Sequence, residues 1–199
     1  MRIFLVGPLG AGKSYIIKHI QQNYPNTNVY TDPIFTNDLH LIKNPLTAQA
    51  AIEASLFLRK ARFNDGIFDT SLEMAKIVFS KLSIYDKTTR DEVKSNPLFV
   101  LELEKMRRFY NALTHSLHDV FIIIDRSKEE LEANIVKRGR PYEVNNPVIT
   151  RLNADLADDL EKDIKAKYPE NKVIRVVLEG KDVTPVVDII KNIKGGSLK

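Results

Sequence analysis

Residues Arg2-Ile3-Phe4-Leu5-Val6 form a short apolar run that stops at Gly7, a pattern that predicts a buried strand. From Lys13 to Asn23 the apolar positions Ile16, Ile17 and Ile20 recur at helical spacing, and Tyr24-Pro25-Asn26 ends the helix. Asn28-Val29-Tyr30 reads as a second strand, ended by Asp32-Pro33. Residues 46–63 place Ala, Leu and Phe at helical spacing with no Gly or Pro, which predicts a long buried helix. Gly66-Ile67-Phe68 predicts a third strand, 72–82 a helix, and the charged stretch 86–95 a helix–helix connection. Pro97 opens a helix to about Leu117, whose Met and aromatic residues over 98–113 read as core. Asp119-Val120-Phe121-Ile122-Ile123-Ile124-Asp125 is apolar on both faces, as parallel central strands are. Helices are expected over 128–137, over 148–167 and over 184–193, with a fifth strand over 173–178. The mixed acids and bases of 151–167 read as a solvated outer face. Strand and helix alternate throughout, so the expected fold is α/β, with a five-stranded, mostly parallel sheet flanked by helices.

The chain has 199 residues, which suits one domain. No linker rich in Pro, Gly or Ser divides it. The expectation is a single domain over 1–194 and a flexible tail over 195–199. It has no cysteine, which excludes disulfides, thiolate metal sites and cysteine nucleophiles. No apolar run approaches the ~18 residues of a membrane span, so a cytoplasmic protein without membrane contact is expected. The 30 basic and 26 acidic residues leave +4, a mild lean toward anionic partners that gives DNA binding only weak support.

The sharpest chemical signal follows the first strand. Gly7-Pro8-Leu9-Gly10-Ala11-Gly12-Lys13-Ser14 fits G-x-x-x-x-G-K-[ST] between a predicted strand and a predicted helix. Wrapping a phosphate with backbone N–H groups requires small or absent side chains, and the helix directs its positive end at the same anion. Lys13 is expected on the β/γ-phosphates and the Ser14 hydroxyl on Mg²⁺, which implies ATP and Mg²⁺ as cofactors.

Other parts of the chain narrow the class. No N-K-x-D follows a later strand, as a GTPase requires, and neither strand end carries the Asp-Glu of motor ATPases. A small kinase remains, which needs arginines covering the transferred phosphoryl group. Lys137-Arg138-Gly139-Arg140-Pro141-Tyr142-Glu143 fits such a lid, expected over about 137–147. The same residues also read as a basic helix C-terminus with a glycine cap.

The order of these motifs resembles the deoxynucleoside kinase family, and the resemblance implies a P-loop kinase fold with a short arginine lid. Along that resemblance the phosphate loop, Gly7 to Ser14, matches fully. Asp32-Pro33 stands where the family has Glu-Pro, which implies Asp32 as general base on the acceptor hydroxyl. Asp69-Thr70-Ser71 stands for D/E-R-S, so Asp69 would serve Mg²⁺ while Thr70 replaces an arginine. Arg138, Arg140 and Glu143 match the lid, with Glu143 on the sugar hydroxyl; the first lid arginine falls on Asn134. On the long helix Arg59 or Arg62 stands for the substrate arginine, and Ile52 or Glu53 replaces the base-reading Phe-Gln pair. Glu179-Gly180-Lys181-Asp182 resembles the loop that holds adenine, placing Lys181 and Asp182 against the cofactor. Asp125-Arg126-Ser127 spells the triplet after the wrong strand and reads as a helix start. The resemblance also implies a possible homodimer through the long helices.

The function these features imply is transfer of the ATP γ-phosphoryl group to a hydroxyl of a deoxynucleoside. Two alternatives stay open: a kinase acting on a nucleoside monophosphate or on a hydroxylated base in DNA, and a nucleotide-binding protein without catalysis.

Overall fold

The computed structural model describes residues 1–31, 41–140, 143–144 and 146–195. Five strands form one sheet: β1 (Arg2–Val6), β2 (Val29–Tyr30), β3 (Gly66–Phe68), β4 (Val120–Asp125) and β5 (Lys172–Val177). Their order is β2-β3-β1-β4-β5, and every pairing is parallel. The helices are α1 (Lys13–Asn23), α2 (Pro45–Arg62), α3 (Leu72–Tyr85), α4 (Lys87–Ser95) and α5 (Pro97–Thr114), followed by α6 (Lys128–Arg138), α7 (Pro147–Ala154), α8 (Leu156–Lys167) and α9 (Thr184–Ile193).

Alternation within the central strands divides the core in two. Ile3, Leu5, Ile122 and Ile124 point to one face, where they pack with Ile16 and Ile20 of α1 and Val186, Val187 and Ile190 of α9. Phe4, Val6, Phe121 and Ile123 point to the other, against Leu152 of α7 and Leu156, Leu160 and Ile164 of α8. A smaller cluster around Leu46, Phe79 and Leu103 joins α2, α3 and α5 beside the sheet.

The register decides where a ligand can sit. Phe4 of β1 is level with Phe68 of β3, and Val6 with Ile123 of β4. The phosphate loop, Asp69 and Arg126 therefore leave the sheet side by side at its carboxyl edge. The chain also crosses there from one half of the sheet to the other around β1, the crevice where ligands of open α/β sheets bind.

Several expectations need correction. Residues 86–95 were expected as a connection, but Lys87–Ser95 is the helix α4, because Asp86 caps it by accepting from the Thr89 amide at 2.8 Å. The expected helix over 148–167 is two helices that meet at Asp155. Its outer face is charged, yet Leu152, Leu156, Leu160 and Ile164 line the core. The 98–113 stretch is not all core: Leu98, Leu101, Phe109 and Leu113 are exposed on α5, whereas Leu103 is buried. The inner face of α2 is partly polar, with Gln49, Glu53 and Lys60 buried. Among the described residues no helix is long and apolar enough to cross a membrane.

Candidate active site

The phosphate loop begins where β1 must pass the end of β4. Gly7 has φ +141°, and a Cβ there would lie 2.1 Å from the Ile124 carbonyl oxygen, so no side chain fits. Gly12 ends the loop in the left-handed region and offers α1 no side-chain cap, and the first turn of α1 carries no acid. The helix's positive end thus faces the loop unneutralised by its own sequence.

Three side chains from other elements hold the loop from outside. Asn153 of α7 donates to the Leu9 carbonyl at 2.8 Å and accepts from the Leu9 amide at 3.0 Å. Asn134 of α6 donates to the Gly10 carbonyl at 2.9 Å. Arg126, between β4 and α6, donates from Nε to the Ala11 carbonyl at 2.9 Å. All peptide bonds of the described residues are trans, so each N–H lies opposite the preceding carbonyl. Anchoring the carbonyls of Leu9, Gly10 and Ala11 outward therefore turns the amides of Gly10 and Gly12 away from the braces, while the Ala11 amide donates to the Pro8 carbonyl at 3.3 Å. The Lys13 ammonium donates across the loop to the carbonyls of Gly7 and Pro8, at 2.8 and 2.9 Å. Loop amides, a helix N-terminus and an ammonium fit a polyphosphate.

Ser14 and Asp69 lie side by side, with Oγ and Oδ2 3.5 Å apart. Two hard oxygens beside an anion cradle fit Mg²⁺, which keeps several waters and takes its other ligands from substrate phosphates. Among the described residues no group of three or more His, Cys, Asp or Glu side chains could hold a metal alone. Ser71 caps α3 by accepting from the Met74 amide at 3.1 Å. Between these two fixed residues Thr70 is held at φ +137°, the one non-glycine residue with positive φ among those described. A β-branched side chain there stores strain of roughly 1–3 kcal/mol.

The reading of the arginine segment as a glycine-capped helix C-terminus holds. Gly139, at φ 67°, caps α6 in the left-handed conformation, with Arg138 in the last turn. Glu143 lies against both arginines. Arg138 Nε donates to Glu143 Oε2 at 2.9 Å, its Nη2 meets the same oxygen, and Arg140 Nη1 lies 3.5 Å from Oε1. Glu143 is buried, while each arginine keeps about a third of its side chain exposed. Asn134, where the family's first lid arginine falls, braces Gly10 instead. Arg138 lies one helical turn further, about 6 Å along the axis.

Arg59 lies at the end of β2, donating to the carbonyls of Tyr30, at 3.3 Å, and Thr31, with its guanidinium over the Phe68 ring. Arg62 stacks on Phe63 instead. Asp32, the expected general base, lies outside the described residues, as do Pro141, Tyr142 and Asn145 of the lid and 196–199 of the tail. Glu53 is fully buried and takes a bidentate pair from Arg107 at 2.6–2.9 Å. Lys181 and Asp182 follow β5 in an exposed turn, where Asp182 accepts from the Thr184 amide, and hydrogen bonding to the Thr184 side chain and then to its amide holds the carboxyl below the usual range. That turn is joined to the phosphate loop: Arg126 Nη1 donates to the Gly180 carbonyl at 2.7 Å.

The sequence reading missed Asn134, Asn153 and Arg126 as parts of the site. Only Arg126 carried a local signal, a cation directly after the most apolar strand.

No family model matches the sequence, and no curated protein is similar to it. Solved structures are similar in fold. A deoxyadenosine kinase from M. mycoides with bound dATP superposes with a TM-score of 0.65 at 23% identity, over 99% of this chain and 100% of that one. The same enzyme with bound dCTP gives 0.64 at 20% identity, and with products dCMP and a flexible dCDP 0.62 at 21%, both over 99% of this chain and all of the other. The all-parallel five-stranded sheet flanked by helices is thus an α/β fold that matches those deoxyadenosine kinase structures.

Proposed function

We propose that this protein is an ATP-dependent kinase that transfers the γ-phosphoryl group to a hydroxyl of a deoxynucleoside. The observation that carries the reading is the braced phosphate loop, in which side chains from other elements hold the Leu9, Gly10 and Ala11 carbonyls and so preset the direction of the Gly10 and Gly12 amides. Preorganised donors of this kind stabilise developing charge without reorganisation. The fold shared with deoxyadenosine kinases supports the acceptor class.

In this reading the Gly7–Gly12 backbone and Lys13 hold the β- and γ-phosphates, and Ser14 and Asp69 hold Mg²⁺. Bound there, Mg²⁺ would offset the charge on the phosphates. Asp32 takes the proton of the acceptor hydroxyl as that oxygen bonds to the γ-phosphorus. The bond from the γ-phosphorus to the β,γ-bridging oxygen breaks, and ADP carries the electron pair away. Arg138 and Arg140 turn from Glu143 toward the transferring group, which frees the Glu143 carboxylate for the sugar hydroxyl. Arg59 adds positive charge on the acceptor side, and the turn at Lys181 and Asp182 receives the base of ATP.

The test is phosphoryl transfer from γ-labelled ATP with Mg²⁺ to free deoxynucleosides, nucleoside monophosphates and DNA. Label is expected on a free deoxynucleoside. Label on monophosphates or DNA alone, or ATP binding with no transfer to any acceptor, would overturn the assignment. Asp32→Asn is expected to lower turnover about 10²-fold or more while leaving ATP affinity within about twofold.

The exposed stripe Leu98, Leu101, Phe109 and Leu113 on α5, with Leu58 on α2, supports assembly as a homodimer through these helices. Sedimentation is expected to give twice the 22.7 kDa chain mass, and Phe109→Glu one chain mass. A wild-type monomer at micromolar concentration would rule this assembly out.

A further inference from the structure

Arg126, one of the three braces of the phosphate loop, is buried, with 7% of its surface exposed, and it reaches a second loop as well. Its Nε holds the Ala11 carbonyl, and its Nη1 holds the Gly180 carbonyl and lies 3.3 Å from Glu130 Oε2. Glu130 Oε1 in turn accepts from the Gly180 amide at 2.6 Å. Arg126 and Glu130 thus hold both polar groups of Gly180, and the same guanidinium reaches the phosphate loop. Nη2 lies beside Gly12, where a Cβ would approach it to 3.5 Å. A planar fork fixes the relative position of two carbonyls in a way a lysine cannot. The charged donor and the short geometry make these bonds stronger than neutral ones.

Gly180 follows β5 and Ala11 follows β1, so both loops stand at the carboxyl edge of the sheet. A nucleotide whose phosphates lie in the Gly7–Ser14 cradle has its base within reach of the neighbouring 179–182 turn. Resting on the donor-nucleotide reading above, we infer that Arg126 is a positioning residue that couples the turn at Gly180 to the phosphate loop at Ala11. Docking of the base against 179–182 fixes Gly180, and through Arg126 and Glu130 it fixes the Ala11 peptide whose neighbours grip the phosphates. Base and phosphate binding are then mutually reinforcing, which is a coupling between two parts of one ligand.

The experiment compares ATP with inorganic triphosphate, each with Mg²⁺, by calorimetric titration and by amide hydrogen exchange at residues 10–12. The primary variant is Glu130→Ala, because its side chain is about a third exposed and its loss releases only the Gly180 end. Arg126→Met and Arg126→Lys release both ends in turn, and thermal melts check that each variant is folded. In the wild type ATP is expected to bind more tightly than triphosphate and to slow exchange at 10–12 more. In Glu130→Ala the preference for ATP is expected to shrink about tenfold, with triphosphate affinity unchanged and exchange slowed equally by both ligands. Equal weakening of both ligands by Glu130→Ala, or an undiminished preference for ATP in that variant, would overturn the coupling while leaving the donor reading intact. A wild type that binds neither ligand would remove the donor reading and the coupling together.

Discussion

Lys13→Ala is expected to lower phosphoryl transfer about 10³-fold or more while leaving the protein folded. The ammonium reaches into the loop, donating to the carbonyls of Gly7 and Pro8. Removing it leaves the β/γ-phosphates with backbone dipoles alone. Loss of one preorganised donor costs about 10²–10³ in rate, and loss of a full charge on a transferring phosphoryl group up to about 10⁵. The structural cost is small by comparison. Lys13 opens α1, where alanine is the best helix former. The two carbonyls it releases are in part-buried hydrogen bonds, at about 1 kcal/mol each. Steady-state kcat/KM beside a thermal melt checks both halves. Activity within tenfold of the wild type would sink the role of Lys13, and with it the kinase reading. Lys13→Arg is also expected to fail, because a planar fork does not replace a compact ammonium between two carbonyls.

The same loop marks how far the sequence could be read. Its glycines were legible because their backbone angles and the close pass by Ile124 exclude any other residue. The cluster of Arg138, Arg140 and Glu143 was legible because its members lie within six residues of one another along the chain. The braces were not, because Asn153, Asn134 and Arg126 meet loop residues 144, 124 and 115 positions away. Nothing local distinguishes an asparagine that holds a loop from one that faces water. The fold errors have similar causes. Helix α4 has almost no apolar residue to give a period, so only its Asp86 cap announced it. The junction at Asp155 was hidden because Leu152, Leu156, Leu160 and Ile164 keep a four-residue spacing across it. The apolar stripe of α5 has the spacing of a core face, and only tertiary packing decides that its other side, with Leu103, turns inward.

Asp119→Ala is expected to be the most destabilising single substitution outside the apolar core, costing about 3–5 kcal/mol. Arg2 opens β1 and Asp119 precedes β4, so the pair lies at the edge of the sheet opposite the phosphate loop. Arg2 Nε and Nη2 reach the two Asp119 oxygens at 2.7 and 3.0 Å, and Lys60 Nζ lies 3.5 Å from Oδ2. All three side chains are buried. Truncating Asp119 strands two buried cations, whereas replacing charges on both sides by apolar groups of similar volume would not. The next anion is Glu73, 3.9 Å from Lys60. Burial alone would raise its carboxyl, but Lys60, its own backbone amide, Lys167 and Ser71 together hold it below the usual range. Its contribution is therefore present above the ordinary carboxylate range and lost as pH falls through that lowered value, so it cannot compensate in acid. For a chain of this length the expected loss in Tm is roughly 6–20 °C at neutral pH. ATP affinity at 25 °C is expected to stay within about twofold, because the phosphate loop and its braces lie at the other end of the strands. A fall in Tm under about 2 °C would show that the cluster adds no stability, and a loss of ATP affinity in a folded variant would show that the two edges of the sheet are coupled.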